Sequence, residues 1–432
     1  MMKEEFLHFV WRHRLFTSEY AMSERGERIH IVDVGTCNHD AGPDFFNARI
    51  RIDGVLWAGN VEIHLRASDW TRHGHCSDPA YENVILHVVQ EADKEIYGRN
   101  GRIIPCICLE YSELLLKQYQ SLLESKQWIP CETELRKLDS FFLNSWLDRM
   151  LVERLERKAE GIINCLKRNK NSWEDSFYQH LARNFGMKVN AEPFGLLARS
   201  LPLKILARQK NSLIQLEALL FGQAGFLSGK IFEDDYAIQL QREYEFLKQK
   251  YSLKPMLFSH WKFMRLRPNN FPTIRIAQFA FLINHSRSLF SYILETNEIV
   301  EIKKMFFAGV SDYWKTHYIF DKPAAFSNKI IGDSFLDLLL INTVIPFLFV
   351  YGRFHKKCQY EERAINFLNS IKAENNQVIR RWREMGIQPA SAFYSQALLQ
   401  LKTEYCDSAR CLECEMGNRI IRTTILSKNQ TE

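Results

Sequence analysis

Two short motifs carry the first chemistry that can be read from the chain. Ala41-Gly42-Pro43-Asp44-Phe45 is followed, beyond one predicted hairpin, by Gly59-Asn60-Val61-Glu62-Ile63-His64. Asp44 and Glu62 fall where strands are expected to be buried, and a buried carboxylate is costly unless it is paired, hydrogen-bonded or bound to a cation. Paired carboxylate oxygens suit Mg²⁺ or Mn²⁺, and such an ion activates water and stabilises charge developing on a phosphate. Asp44, Glu62 and His64 are therefore the candidate catalytic set, with Asp44 and Glu62 as metal ligands. The plain alternative has Asp44 capping a turn and Glu62 paired with Arg49 or Arg66.

A second donor set follows closely. His64, His73, His75 and His87 are near one another in the chain, with Asp78 and Tyr81 between them. Neutral imidazole suits zinc, and His73-Gly74-His75 on an extended segment would put both rings on one side. His73 and His75 are thus the alternative metal ligands, for zinc or manganese. His87 alternates with Leu86 and Val88, which reads as a core histidine with a satisfied hydrogen bond.

Near the C-terminus, Cys406, Cys411 and Cys414 place three thiols close together. Such clusters suit Zn²⁺ or an iron–sulfur cluster. A fourth ligand is missing locally, and Cys131 is the candidate for it, with Cys358 the alternative. The competing expectation is three reduced, partly buried cysteines at the end of the last helix. Arg265, Arg267 and Arg275 lie in a stretch rich in Pro and Asn and are candidate substrate-binding residues for a phosphate backbone. The same side chains can instead satisfy carbonyls at helix ends. Gly222-Gln223-Ala224-Gly225 lacks the lysine of a phosphate-binding loop and reads as a helix break.

The elements that must position these groups change class along the chain. Glu4 to Phe16 reads as an aromatic-rich helix. Strands are predicted at Arg28 to Val34, Phe45 to Ile52, Val55 to Leu65, Asn83 to Val89 and Arg102 to Leu109. Asp53-Gly54 suits a tight hairpin turn between the second and third of them. Register then decides the site. A simple two-residue turn sets Asp44 opposite Ile63, on the face away from Glu62 and His64. One bulge in the third strand, which Gly59 would permit, shifts Asp44 opposite His64 and gathers all three on one face. From Ser112 onward the pattern is helical. The expected architecture is α+β: a small N-terminal mixed-sheet domain over residues 1–111, then a larger all-helical domain over residues 112–432.

Composition is that of an ordinary globular protein, with 46% apolar, 13% aromatic and 25% charged residues. The net charge of +6 permits a nucleic-acid partner without requiring one. Charge at Lys3, Glu4 and Glu5, followed by Arg12, His13 and Arg14, leaves no apolar export signal at the start, so a cytoplasmic location is expected. The apolar stretch Leu338 to Tyr351 contains Asn342, Thr343 and Pro346 and falls short of the roughly 20 apolar residues that span a bilayer, so it is read as a buried, kinked helix and no membrane partner is expected. Ten cysteines without a secretory signal are expected as thiols or metal ligands.

Several longer motifs together resemble an uncharacterised bacterial family, domain of unknown function 2851. They are Ala41 to Phe45, Gly59 to His64, Ser68-Asp69-Trp70 with His73 and His75, Asn83 to Val89, Glu217 to Gly225, Arg265 to Pro272 and Cys406 to Cys414. The N-terminal part also resembles the PD-(D/E)XK nuclease superfamily, whose core is a helix, three strands, a helix and a further strand. Pro43-Asp44 is similar to its first motif and Glu62-Ile63-His64 to its second, with His64 standing where that superfamily usually has lysine. This resemblance implies metal-dependent cleavage of nucleic-acid phosphodiesters. The opposing expectation is a non-catalytic binding scaffold with an inactive nuclease-like fold.

Overall fold

The computed structural model describes residues 3–38, 40–135, 139–286 and 288–426. Its N-terminal part is built on one mixed sheet of seven strands: β1 (Tyr20–Met22), β2 (Arg28–Asp33), β3 (Thr36–Cys37), β4 (Phe45–Ile52), β5 (Val55–Arg66), β6 (Val84–Glu91) and β7 (Cys106–Cys108). The order is β1-β2-β4-β5-β6-β7, with β3 beside β4. Pairing is antiparallel from β1 to β5 and parallel from β5 to β7. Helix α1 (Glu4–Arg12) ends before the expected Phe16 and packs against β5. The fold is α+β, as the change of pattern along the chain implies.

The hairpin forms where Asp53-Gly54 predicts it. Both residues have positive φ, +45° and +86°, the requirement of a tight turn whose twist matches the strands. Ile52 pairs with Val55, and the regular register runs to Ala48 opposite Gly59. The bulge then falls in β4 rather than at Gly59, because Phe45 pairs with Val61. Asn47 takes up the extra residue at φ +57°, a left-handed conformation that asparagine tolerates. Continuing this pairing by one residue sets Asp44 opposite Glu62, not His64. Gly59 has a different role: a Cβ there would lie 2.4 Å from Ile85 Cγ2 and 2.7 Å from the Asn83 carbonyl, so glycine is what lets β6 come in beside β5.

β5 does two jobs along its length. Its first four residues are exposed, whereas Gly59 to His64 are buried. Alternation sends Val61 and Ile63 to the face where Phe45 meets Trp11 of α1. Asn60, Glu62 and His64 go to the other face, together with Val84, His87 and Val89 of β6. That second face is covered by the crossover between β5 and β6. The crossover starts with the short helix α2 (Asp69–Arg72), which buries Trp70, and continues through a 3₁₀ turn at Pro79–Tyr81 capped by Asp78. Trp70 is 1% exposed and packs with Ala67, Val84, Val89, Ile96, Ile104 and Cys106.

After β7 the chain is helical, beginning with α3 (Glu113–Glu124) and α4 (Ser140–Arg168), apart from a small two-stranded sheet at His317–Ile319 and Lys322–Pro323. Chain contacts divide the molecule into two compact units, residues 1–146 with 401–432, and residues 147–400. In the second unit, Asp333–His355 is long and apolar enough to cross a membrane by length and composition, but 78% of that window is buried inside the protein. It is a core helix interrupted by a π-helical turn at Leu340–Val344, just before Pro346.

The bulge yields a direct test. Asn47→Val, which cannot hold a left-handed backbone cheaply, should lower unfolding free energy by about 1–2 kcal/mol, measured by urea denaturation. Asn47→Gly should leave it nearly unchanged.

Candidate metal centre

The second face of the sheet gathers the two candidate donor sets into one cluster. Glu62 is 4% exposed and His64 is 1% exposed. The two ends of the Glu62 carboxylate are used differently. Oε2 accepts the backbone N–H of Asp44 at 3.1 Å, while Oε1 faces His75 Nε2 at 3.3 Å and His64 Nε2 at 3.5 Å. Asp44 reciprocates, its Oδ2 accepting the backbone N–H of Ile63 at 2.9 Å. The same Oδ2 lies 3.3 Å from His8 Nε2 of α1. Arg49 and Arg66 are not the partners of Glu62: Arg49 binds Asp33 and Arg66 binds Glu91.

The crossover delivers the other two imidazoles. His73 closes α2, its N–H donating to the Asp69 carbonyl, and Gly74 turns the chain at φ +78°. That left-handed step, rather than an extended strand, aims both neighbouring rings at His64. His73 Nδ1 stands 3.2 Å from His64 Nε2. His75 is stacked on Tyr81 with ring centroids 3.8 Å apart and meets the edge of Trp70. Its Nε2 is buried and has no hydrogen-bond partner among the described residues. On the far side, His64 Nδ1 lies 2.8 Å from Nε2 of the fully buried His87. His87 is thus a hydrogen-bonded core histidine and also the group that fixes the His64 ring.

Burial sets the charge states. It lowers the His64 pKa to about 2, helped by the neighbouring histidines, and the His87 pKa to about 3. His75 is lowered for the same reason. Burial and the Asp44 charge together push Glu62 up to about 9. At His8 burial acts against the charge, yet the hydrogen bond and charge of Asp44 outweigh it and raise the pKa. Burial therefore favours the neutral form of His64, His75 and His87, the form in which imidazole binds a metal.

Donor atoms of His64, His73 and His75 all lie within 4.8 Å of one another. Ligands held about 2.0–2.1 Å from a tetrahedral zinc stand about 3.3 Å apart. The separations of 3.2, 3.3 and 3.5 Å between His64 and His73, His75 and Glu62, and His64 and Glu62 match that edge length. His73 is exposed and opens the cluster to solvent, whereas His64 closes its floor. Sequence reasoning found every member of this set. It assigned them to two competing sites, and it missed His8, which sits on a helix face with no motif to mark it.

A family model described as a protein of unknown function, DUF2851, matches residues 4–377, and the chain belongs to that family. No curated protein and no solved structure matches it.

The other residues singled out from sequence lie elsewhere. Arg265 and Arg267 are exposed in the second unit. Arg275 is buried there, donating to Gln278 Oε1 at 2.8 Å and Asn270 Oδ1 at 2.6 Å, with its guanidinium 3.6 Å from the Phe335 ring centroid. Its partners are side-chain amides rather than helix-end carbonyls. The Glu217 to Gly225 motif is a helix, Leu213–Gln223, that ends in a turn with Gly225 at φ +80°. Glu217 is buried within it, accepts the Tyr236 hydroxyl at 2.6 Å, and is raised by burial to about 7. A carboxyl whose folded pKa lies above its unfolded value favours the folded state most at low pH. That contribution is lost as pH rises from about 4.5 through about 7, and the shift corresponds to about 3 kcal/mol. The stability of the native protein relative to Glu217→Gln should therefore fall across that pH window in thermal unfolding.

Proposed function

We propose that this chain is a metal-dependent hydrolase acting on nucleic-acid phosphodiesters, with its ion held by His64, His73 and His75 beside Glu62. The observation that carries the reading is the convergence of three imidazoles and one carboxylate oxygen at separations matching a tetrahedral ion. Imidazole donors favour zinc or a similar transition metal over Mg²⁺, for which oxygen ligands are preferred. The metal would supply a bound water of lowered pKa and neutralise charge on a phosphoryl oxygen.

The chain's own residues have separable tasks. His87 holds the His64 ring so that Nε2 points into the cluster. Trp70 and Tyr81 clamp His75. Glu62 is placed to accept a proton or to complete the ligand set, and Asp44 positions β5 by binding the Ile63 N–H. What supports a phosphodiester substrate is the arrangement α1, β2, β4, β5, crossover, β6, with Pro43-Asp44 leading into β4 and Glu62-Ile63-His64 on the adjacent β5. A cleft of about 300 Å³ borders His8 and is lined by Lys3, Arg12, His13 and Arg410 against Glu5 and Glu413, a basic excess that suits an anionic chain.

A scaffold reading is favoured by one specific observation: Asp44 and Glu62 each bind the other segment's backbone, so the pair also stitches β4 to β5. Metal titration and cleavage separate the two readings. Zinc or Mn²⁺ should bind the full-length protein, and His87→Ala, which frees the His64 ring, should weaken binding about 10–100-fold in a chelator competition. Labelled single- and double-stranded DNA and RNA should be cleaved only with metal. His73→Ala and the double variant Asp44→Ala, Glu62→Ala should lose at least about 100-fold in rate while remaining folded by circular dichroism. Metal binding without cleavage of any substrate would leave the scaffold reading in its place.

A further inference from the structure

The C-terminal cysteines form a second cluster, separate from the histidines. Although 254 residues lie between them, the segments 1–146 and 401–432 belong to one compact unit, which places Cys131 with Cys406, Cys411 and Cys414. All four are free thiols, and Cys131, Cys411 and Cys414 are 7%, 7% and 6% exposed. The segments that carry them touch directly. The Lys402 ammonium lies 4.8 Å from the Trp128 ring centroid, so the turn leading to Cys131 packs on the π-helical turn Leu401–Cys406. Trp146 at the start of α4 packs edge-on against Tyr405, with ring centroids 5.7 Å apart.

The backbone between the cysteines is folded tightly. The Ala409 N–H donates to the Cys406 carbonyl, with Ala409 at φ +51°. A Cβ at Gly417 would lie 2.2 Å from the Cys411 carbonyl oxygen, so glycine is required where the last helix, Glu415–Leu426, folds back on this turn. Cys414 immediately precedes that helix. Burial raises its pKa, outweighing the opposing effect of hydrogen bonds from the Gly417 and Met416 N–H groups and the Trp146 indole. The four sulfurs are close enough to act on one another: Cys131 is raised by burial and then by Cys414 and Cys411, and Cys406 by burial and then by the other three.

We propose that Cys131, Cys406, Cys411 and Cys414 form a closed four-thiolate centre for a thiophilic metal, a zinc ion or an iron–sulfur cluster, that fastens the C-terminal segment to the N-terminal unit. Cys131, Cys411 and Cys414 are buried and Cys406 is half-buried, so ionising these thiols together is costly, and a bound metal takes up their charge as the protons leave. Four protein ligands leave no open position, so the centre is structural rather than catalytic.

The test is metal analysis of the full-length protein purified without oxygen, together with X-ray absorption at the metal edge. The expected result is zinc, or iron with acid-labile sulfide, in a four-sulfur shell that persists in the His73→Ala variant, which separates it from an ion at the histidine cluster. The two forms differ in colour and in sulfide content. Cys406→Ser and Cys414→Ser should each lose that metal, whereas Cys76→Ser and Cys358→Ser should keep it. In the native protein, alkylation of these four thiols should need prior chelation, a readout that does not depend on a variant folding. Metal present only in a nitrogen and oxygen shell, or four thiols alkylated at once in the untreated protein, would overturn the proposal.

Discussion

The N-terminal unit depends on the cost of keeping the Glu62 carboxylate under the crossover with no lysine or arginine among the described residues paired with it. Its ion-pair partners among the described residues are His64 and His75, both of which burial drives toward the neutral form. Burial thus shifts acid and base in opposite directions, Glu62 up to about 9 and His64 down to about 2. In the bare cluster burial therefore favours a protonated Glu62 carboxyl beside neutral His64 and His75 rings. A divalent cation reverses the first shift and exploits the second, because it favours the ionised carboxylate and needs the imidazole lone pairs free. One ion removes two separate burial costs, which is a physical reason for so many polar groups on one sheet face.

That arrangement needs β5 to be antiparallel to one neighbour and parallel to the other. The antiparallel hairpin with β4 brings Asp44 against Glu62. The parallel pairing with β6 brings His87 beside Glu62 and His64, and it forces a crossover that must return over the sheet. The crossover is where His73 and His75 reside. Trp70 anchors it, with its indole N–H donating to the Tyr97 carbonyl at 3.2 Å. Gly59 permits the close approach of β6, so a single side chain added there would act on the ligand geometry from outside the cluster.

How far this was legible in the sequence varies by element. The hairpin, the long strands and the helical remainder follow from period-two patterning and from Asp53-Gly54. The short strands β1 and β3 were missed because two or three residues carry no period. That Asp44 and Glu62 share a face was legible only as a choice between registers, and the bulge falls at Asn47 in β4, because the constraint at Gly59 comes from β6 and is not a local property of the hairpin. The histidine turn was expected as an extended segment; Gly74 at positive φ was the available signal. His8 left no trace beyond helix periodicity, since its role arises from α1 crossing the end of β4.

The discontinuity of the N-terminal unit shows why a second fastening is useful. Closing a loop over a long intervening segment costs little more than over a short one, because the penalty grows only with the logarithm of length. The question is what holds the returning segment once it arrives. The last helix packs on α3 and buries Met416, Ile420 and Ile421, and polar and ring contacts add to this: Asn418 Nδ2 with His13 Nε2 at 3.0 Å, Arg419 4.4 Å from the Phe142 ring centroid, and Lys402 4.8 Å from that of Trp128. Each polar or ring contact of this kind is worth about 0.5–1.5 kcal/mol. A thiolate centre joining Cys131 to Cys406, Cys411 and Cys414 would contribute on the scale of about 10–16 kcal/mol for a structural zinc. It would make the C-terminal segment an integral part of the unit that contains the histidine cluster, including the Arg410 side of the cleft beside His8.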